Sequence, residues 1–211
     1  LLMGTCKRFF ELCVLHGVAL PKKNFELSYD TNIPRQVGLA GSSAIVTATF
    51  RCLMQYFNLS DHDLPKPLQP QFVLDVEMRE LNINAGLQDR VVQTYEGCVY
   101  MDFSKEAFEK RGHGTYVALN ADDRFELPIL WLSFVANPSD SGKIHSDVRK
   151  RWDMGEKDVV DAMREFARLT DRARDALRSG DAETFASLMS ANFDLRRKIY
   201  GDRCLGKDNL R

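Results

Sequence analysis

Apolar residues recur at helical spacing at the start of the chain and again beyond its middle. In residues 1–16 they lie three and four positions apart, and Gly17 follows, so the pattern predicts a helix that ends at this glycine. The same spacing predicts further helices at residues 42–57, 71–81 and 87–95. From Val148 onward two more apolar stripes predict a pair of helices joined as a hairpin.

Strands are predicted where apolar and polar residues alternate or where short apolar runs occur. Phe25, Leu27 and Tyr29 alternate with polar neighbours. Three apolar runs predict further strands: GCVYMDF from Gly97, TYVAL from Thr115, and LPILWLSFVAN from Leu127. Residues 61–70 are proline-rich and residues 137–146 are polar, so both segments are predicted loops. Strands mixed irregularly with helices, followed by a helical hairpin, predict an α+β fold.

Composition narrows the class of protein. With 211 residues, 44% hydrophobic and 28% charged, the chain has an ordinary globular composition. A formal net charge of −1 gives no electrostatic reason to expect nucleic acid or an anionic membrane as a partner. No apolar run reaches the roughly 18 residues that a membrane span needs. The five cysteines are widely spread without a C-x-x-C pair, which predicts free thiols in a reducing, cytoplasmic setting and no zinc site.

The segment PRQVGLAGSSAIV, from Pro34, places small residues and two serines directly before the helix predicted at 42–57. Helix N-termini carry unpaired N–H groups, and small residues let a phosphate approach them closely. The alternative is a tight turn in which Ser42 is a plain N-cap. The segment matches neither the Walker A pattern nor G-x-G-x-x-G. Spacing alone leaves both interpretations open.

The same segment resembles the ATP-binding motif of the GHMP kinases, the superfamily of galactokinase, homoserine kinase and mevalonate kinase. Many members carry a further glycine where this chain has Ala40. Glu77, followed by the segment NAGLQDR that contains Asp89, resembles a second motif of the family. The resemblance implies that ATP and Mg²⁺ are used. It assigns the phosphates to Gly38, Leu39, Ala40, Gly41, Ser42, Ser43 and Ala44, the metal to Ser43 and Glu77, and catalysis to Asp89.

A narrower resemblance covers nearly the whole chain. YDTNIPRQVGLAGSSAIV, NAGLQDRVVQTYEG, NPSDSGKIHSDVRKRW and NFDLRRKIYGDRCLG are similar to segments of glucuronokinases, which phosphorylate D-glucuronate at its anomeric oxygen. This implies a two-layer fold of a mixed sheet with helices. Residues 1–135 would belong to an N-terminal ATP-binding domain and residues 136–211 to the start of a C-terminal one. We expect a fragment that lacks an N-terminal strand region and a C-terminal glycine-rich motif.

A sugar acid requires a cation, and arginine matches a carboxylate with two parallel hydrogen bonds. The candidates for binding it are Arg35, Arg90, Lys143, Arg196 and Arg197. Arg90 is expected to point away from Asp89, its neighbour in sequence. Without the motif, these charges and those of Glu77 and Asp89 are typical of solvated helix surfaces. Two classes of function remain: a kinase, for glucuronate or for another sugar or alcohol, and a non-catalytic relative that binds a sugar or a partner. The oligomeric state is not indicated.

Overall fold

A computed structural model describes residues 1–35, 37–83, 85–122, 125–134 and 142–202, and for residues 142–147 only the backbone. The chain divides into two compact units, Leu1–Leu119 and Asn120–Arg211. The predicted domain boundary after residue 135 falls inside the second unit, and the assignment of the two predicted domains stays a prediction.

The first unit is mainly helical. Its α-helices are α1 (Leu2–Leu15), α2 (Gly41–Tyr56), α3 (Gln69–Asp75), α4 (Gln88–Tyr95) and α5 (Lys105–Arg111). A 3₁₀ turn at Lys66–Leu68 precedes α3, and a π-helical turn at Val76–Glu80 continues it. These elements confirm the helices that the apolar spacing predicts, including the end of α1 before Gly17, whose φ is +68°.

The core of this unit forms between α1, α2 and α3. Phe9 of α1 packs edge-on against Phe50 of α2 with ring centroids 5.8 Å apart, and Phe50 lies 4.6 Å from Phe72 of α3. Phe9 and Phe50 are almost fully buried. Aromatic side chains of this size bury a large apolar area. The start of α2 and the end of α3 are therefore held close together, and this is where the predicted phosphate loop and Glu77 lie.

One antiparallel sheet completes the first unit. Strands β1 (Val99–Asp102) and β2 (Thr115–Ala118) pair with Val99 opposite Ala118, and α5 connects them. Ser104 caps the start of α5, where its side chain accepts a hydrogen bond from the N–H of Ala107, and Gly112 caps its end. The α+β class is confirmed, and in the described ranges the predicted mixed sheet is this two-stranded antiparallel pair.

The second unit contains α6 (Gly142–Asp153), α7 (Lys157–Ser179) and α8 (Ala182–Tyr200). Helices α7 and α8 form the predicted hairpin. Two small apolar clusters hold these helices together: one is Val148, Val159, Ala162 and Ile199, and the other is Leu169, Ala176 and Leu188. Within the described ranges, no helix is both long enough and apolar enough to cross a membrane.

Two predicted strands and one predicted loop are wrong in the described residues. Residues 25–29 and 127–134 have no regular secondary structure. A strand needs a partner for its backbone groups, and in residues 127–134 the apolar side chains remain exposed, with Trp131 at 93%. The predicted loop at 137–146 is helical from Gly142. The rest of these segments, residues 135–141, lies outside the described residues.

Candidate functional site

The predicted phosphate loop connects an irregular segment to α2. Gly38 has φ +79°, a left-handed conformation that favours glycine. Ala40 is the N-cap of α2 and is also left-handed, with φ 51° and ψ 39°. A glycine would adopt this conformation without strain, in keeping with the glycine that many GHMP kinases carry there. No side chain caps α2, so its first N–H groups have no side-chain acceptor at the cap.

A cleft of about 950 Å³ lies beside this helix start. Its walls are residues 29–35, Leu1, Ile45 and the loop residues Gly38–Ser42. The volume is within the range of small-molecule sites. The segment predicted as a strand at 25–29 therefore leads into one wall of the cleft, and the uncapped helix start forms another.

The two loop glycines have different constraints. A Cβ at Gly41 would meet the Cγ2 atom of Ile33 at 3.4 Å, which is an ordinary contact, and Gly41 has no positive φ. The fold itself therefore tolerates a side-chain carbon at position 41, whereas the left-handed backbone at Gly38 favours glycine. The small residue at position 41 keeps the helix start open on the side of the cleft.

Behind the loop lies a buried charge network. The Glu77 side chain is fully buried in the π-helical turn after α3, and the Arg90 side chain is 6% exposed in α4. Arg90 donates from Nε and Nη2 to Glu77 Oε2, at 2.7 and 2.5 Å. Ser42 Oγ donates to Glu77 Oε1 at 2.6 Å. These three hydrogen bonds stabilise the buried carboxylate, because burying a charge without partners costs free energy.

The two serines of the loop have separate roles. Ser43 is fully buried, and its hydroxyl donates to the carbonyl of Ala40 at 3.0 Å. The hydroxyl that contacts Glu77 belongs to Ser42, although the sequence motif suggests Ser43 as its partner. The alternative of Ser42 as a plain N-cap is wrong, since Ala40 occupies that position and Ser42 lies within α2.

A magnesium ion would find hard oxygen donors here. The Glu77 carboxylate and the Ser42 hydroxyl already lie together, and Mg²⁺ prefers oxygen ligands and keeps several waters. Among the described residues, no cluster of three or more His, Cys, Asp or Glu side chains could hold a metal ion. Both Glu77 oxygens already accept hydrogen bonds, from Ser42 and from Arg90, so Glu77 would have to give up part of this network to bind Mg²⁺, and nucleotide phosphates and water would supply most of the ligands.

Asp89 lies in the first turn of α4 with its side chain 55% exposed. Arg90 Nη1 donates to Asp89 Oδ2 at 3.0 Å, so the expectation that Arg90 points away from Asp89 is wrong. The flexible arginine side chain folds back and also reaches the Gly86 carbonyl at 3.1 Å. The exposure of Asp89 leaves its carboxylate accessible to a substrate hydroxyl.

The predicted cations are spread over both units. Arg35 is exposed and lines the cleft. Arg90 uses its guanidinium on Glu77, Asp89 and Gly86, which gives no support to the prediction that it binds substrate. In the second unit, Arg196 stacks over the Tyr200 ring and Arg197 pairs with Asp202. Lys143 is in α6, among the residues whose side chains are not described.

Sequence reasoning missed Gln93 of α4. Its Nε2 donates to the Ala40 carbonyl at 3.1 Å, across a separation of 53 residues in sequence. The available signal is its position four residues after Asp89, which places both side chains on the same face of α4.

An open helix N-terminus that follows a loop of small residues is a feature on which phosphate sites are built. Residues 1–97 match the family model described as GHMP kinases N terminal domain. The whole chain aligns at 48% identity with two proteins of Arabidopsis thaliana, Glucuronokinase 1 and Probable glucuronokinase 2, and spans 57% and 56% of their lengths. Residues 1–97 therefore contain a GHMP kinases N terminal domain, and the predicted resemblance to GHMP kinases and glucuronokinases is confirmed.

A more distant relative is named for a substrate other than glucuronate. D-glycero-alpha-D-manno-heptose 7-phosphate kinase of Campylobacter jejuni is 21% identical over 178 residues, which cover 83% of this chain and 50% of that protein. No solved structure matches the chain. The chain spans little more than half the length of the Arabidopsis relatives.

Proposed function

We propose that the full protein is a sugar-acid kinase, which transfers the γ-phosphoryl group of ATP to the anomeric hydroxyl of D-glucuronate and releases glucuronate 1-phosphate. The observation that carries the proposal is the contact chain from loop to catalytic carboxylate: Ser42 to Glu77, Glu77 to Arg90, and Arg90 to Asp89. The names of the two Arabidopsis relatives, which match along the whole chain, supply the acceptor.

The loop would hold the ATP phosphates. The N–H groups at the start of α2 carry the positive end of the helix dipole, and Gly41 lets the phosphates approach them. A bound Mg²⁺ would neutralise charge on these phosphates, with Glu77 and a loop serine as its protein ligands. Of the two serines, Ser42 already contacts Glu77, and Ser43 would have to release the Ala40 carbonyl to take part.

Asp89 would act on the acceptor. Phosphoryl transfer depends mainly on positioning and charge stabilisation, but the attacking hydroxyl must lose its proton. A carboxylate in hydrogen-bond reach of that hydroxyl orients it and accepts the proton. Arg90 holds one oxygen of Asp89 and thereby fixes the direction of the carboxylate.

For the acceptor carboxylate we propose Arg35. It is the candidate cation that lines the cleft with the loop, and it is exposed and able to reorient. Arg90 has its guanidinium occupied by Glu77, and Arg197 pairs with Asp202. A cation in the site favours an acid over a neutral sugar, because the neutral sugar leaves the cation unpaired.

We also propose a cytoplasmic location, on the basis of the thiols. Cys6, Cys13, Cys52 and Cys98 are all free, as expected in a reducing compartment. The proposed partners are ATP and a sugar acid, without nucleic acid or membrane.

An acceptor panel tests the function. The full-length protein is incubated with ATP, Mg²⁺ and one of glucuronate, galacturonate, galactose or mevalonate, and ADP release is followed with a coupled assay. The proposal expects release that depends on glucuronate, with a product phosphorylated at C1 by phosphorus NMR. The relative named for a heptose phosphate favours a second candidate, another sugar as acceptor, which a preference for galactose would support. ATP binding without transfer to any acceptor would indicate a non-catalytic relative.

A further inference from the structure

The carbonyl of Ala40 is held by three donors. The Ala44 N–H lies 3.1 Å from it, Ser43 Oγ lies at 3.0 Å, and Gln93 Nε2 lies at 3.1 Å. The first two donors belong to α2 itself. Gln93 is the donor that comes from another element, α4, and so ties the loop to the rest of the unit.

The direction of the Gln93 amide is fixed. Thr47 of α2 is buried, and its hydroxyl lies 3.4 Å from Gln93 Oε1 in donating geometry. The Ala40 carbonyl can only accept a hydrogen bond, so the amide turns its NH₂ group toward Ala40 and its oxygen toward Thr47. A glutamine held at both ends of its amide is a better-defined donor than a free one, because it loses less rotamer freedom in forming the bond.

The anchored carbonyl determines where the next N–H points. A trans peptide unit is planar, so the C=O of Ala40 and the N–H of Gly41 point in opposite directions. No cis peptide bond occurs among the described residues. With the carbonyl drawn toward Gln93, the Gly41 N–H is turned to the opposite side, and both residues line the cleft.

Helix α4 thus supports the loop at two points. Gln93 holds Ala40 directly, while Arg90 holds Glu77, which accepts from Ser42. Asp89 belongs to the same helix, one turn before Gln93. A single rigid element therefore fixes the loop and carries the proposed catalytic carboxylate.

We propose that Gln93 is a positioning residue that holds the phosphate loop in its ATP-binding conformation by anchoring the Ala40 carbonyl. The inference rests on the proposed function, since it assigns the ligand of the loop as ATP. If Gln93 has this role, loss of its donor weakens ATP binding and raises the mobility of the loop more than that of the rest of the unit.

Two measurements on the full-length protein test this role. Gln93→Met keeps the length of the side chain and removes the donor, and Gln93→Glu places an acceptor against the Ala40 carbonyl. Gln71→Met is the matched control, because Gln71 is also a half-buried helical glutamine, bonded to Asp75 at 2.8 Å. Amide hydrogen exchange of residues 37–44 is measured without nucleotide, and the Kd for ATP is measured by calorimetry.

We expect faster exchange in the loop and a rise of about two- to tenfold in the Kd for ATP in Gln93→Met, the effect of one hydrogen bond. Gln93→Glu is expected to be at least as damaging, and Gln71→Met to leave both measurements as in wild type. The inference is overturned by wild-type loop exchange in Gln93→Met, or by an unchanged Kd. If wild type binds ATP but phosphorylates no sugar, the proposed function fails and the result on Gln93 still stands.

Discussion

Replacing Arg90 with methionine removes one partner of the buried charge pair behind the loop. The Glu77 side chain is fully buried, and the Arg90 side chain is 6% exposed. Glu77 loses both hydrogen bonds from Arg90 and retains the Ser42 hydroxyl at 2.6 Å. Because an uncompensated buried charge is left behind, we expect the free energy of unfolding to fall by about 3–5 kcal/mol.

Urea unfolding of the full-length protein, followed by circular dichroism, measures this loss. A lower midpoint with an unchanged m-value shows lost stability without a change in the surface exposed on unfolding. Lys105→Met is the control, because Lys105 pairs with Glu109 at 3.5 Å and both side chains are exposed, at 87% and 66%. Such surface pairs contribute about 0–1 kcal/mol.

The pair also predicts non-additivity. In the double variant Glu77→Gln with Arg90→Met, the carboxylate that Arg90 neutralises is already gone, so the combined loss should be smaller than the sum of the single losses. Arg90→Met with a midpoint no lower than that of the Lys105 control, or an additive double variant, would refute the buried pair as the support of the loop.

The remaining predictions concern the loop, the metal and the thiols. Gly41→Val should leave the circular dichroism spectrum unchanged, because a Cβ at this position contacts only Ile33, at 3.4 Å. The same variant should abolish ATP binding, because its methyl groups occupy the path by which the phosphates approach the helix start. Unaltered ATP affinity would contradict this prediction. Glu77→Gln should raise the Mg²⁺ concentration needed for turnover, and a wild-type Mg²⁺ titration would exclude Glu77 as a ligand. Burial raises the pKa of Cys13 to about 11, so its thiol stays protonated at neutral pH. Iodoacetamide should therefore modify the exposed Cys52 before Cys13. Equal labelling of the two cysteines, measured by mass spectrometry, would argue against the burial of Cys13.

Helices α1, α2 and α4 could be predicted because their apolar stripes are local patterns. The same reasoning fails for residues 25–29 and 127–134, where alternation or apolar character is present but no partner strand is paired in the described ranges. A strand is completed by a neighbour that the local sequence does not specify. The helix of residues 142–153 was missed in part because its first residues are polar and resemble a turn.

The site shows a similar division. The position of Glu77 beside the loop could be predicted because small residues and a carboxylate recur in a known motif, while the roles of these residues stay predictions. The motif does not show which of the two serines contacts Glu77. Consecutive residues lie about 100° apart around a helix, and the motif does not fix how α2 is rotated about its axis. The position of Gln93 on the face of Asp89 could be read from the sequence, but its contact with Ala40 could not, because that contact spans 53 residues and depends on the packing of α4 against α2.

We propose that Asp89 acts on the acceptor hydroxyl in a kinase. The alternative is a first-turn carboxylate that stabilises α4 through the helix dipole, and Glu106 in the first turn of α5 is the matched control for it. Asp89→Asn and Glu106→Gln are compared with wild type in the full-length protein, with glucuronate as acceptor and with Kd for ATP measured separately.

We expect Asp89→Asn to lower kcat by roughly 10²–10⁴ with the Kd for ATP preserved, because the hydroxyl loses its proton acceptor. Glu106→Gln should turn over as wild type. A kcat for Asp89→Asn within a few-fold of wild type would contradict the mechanism.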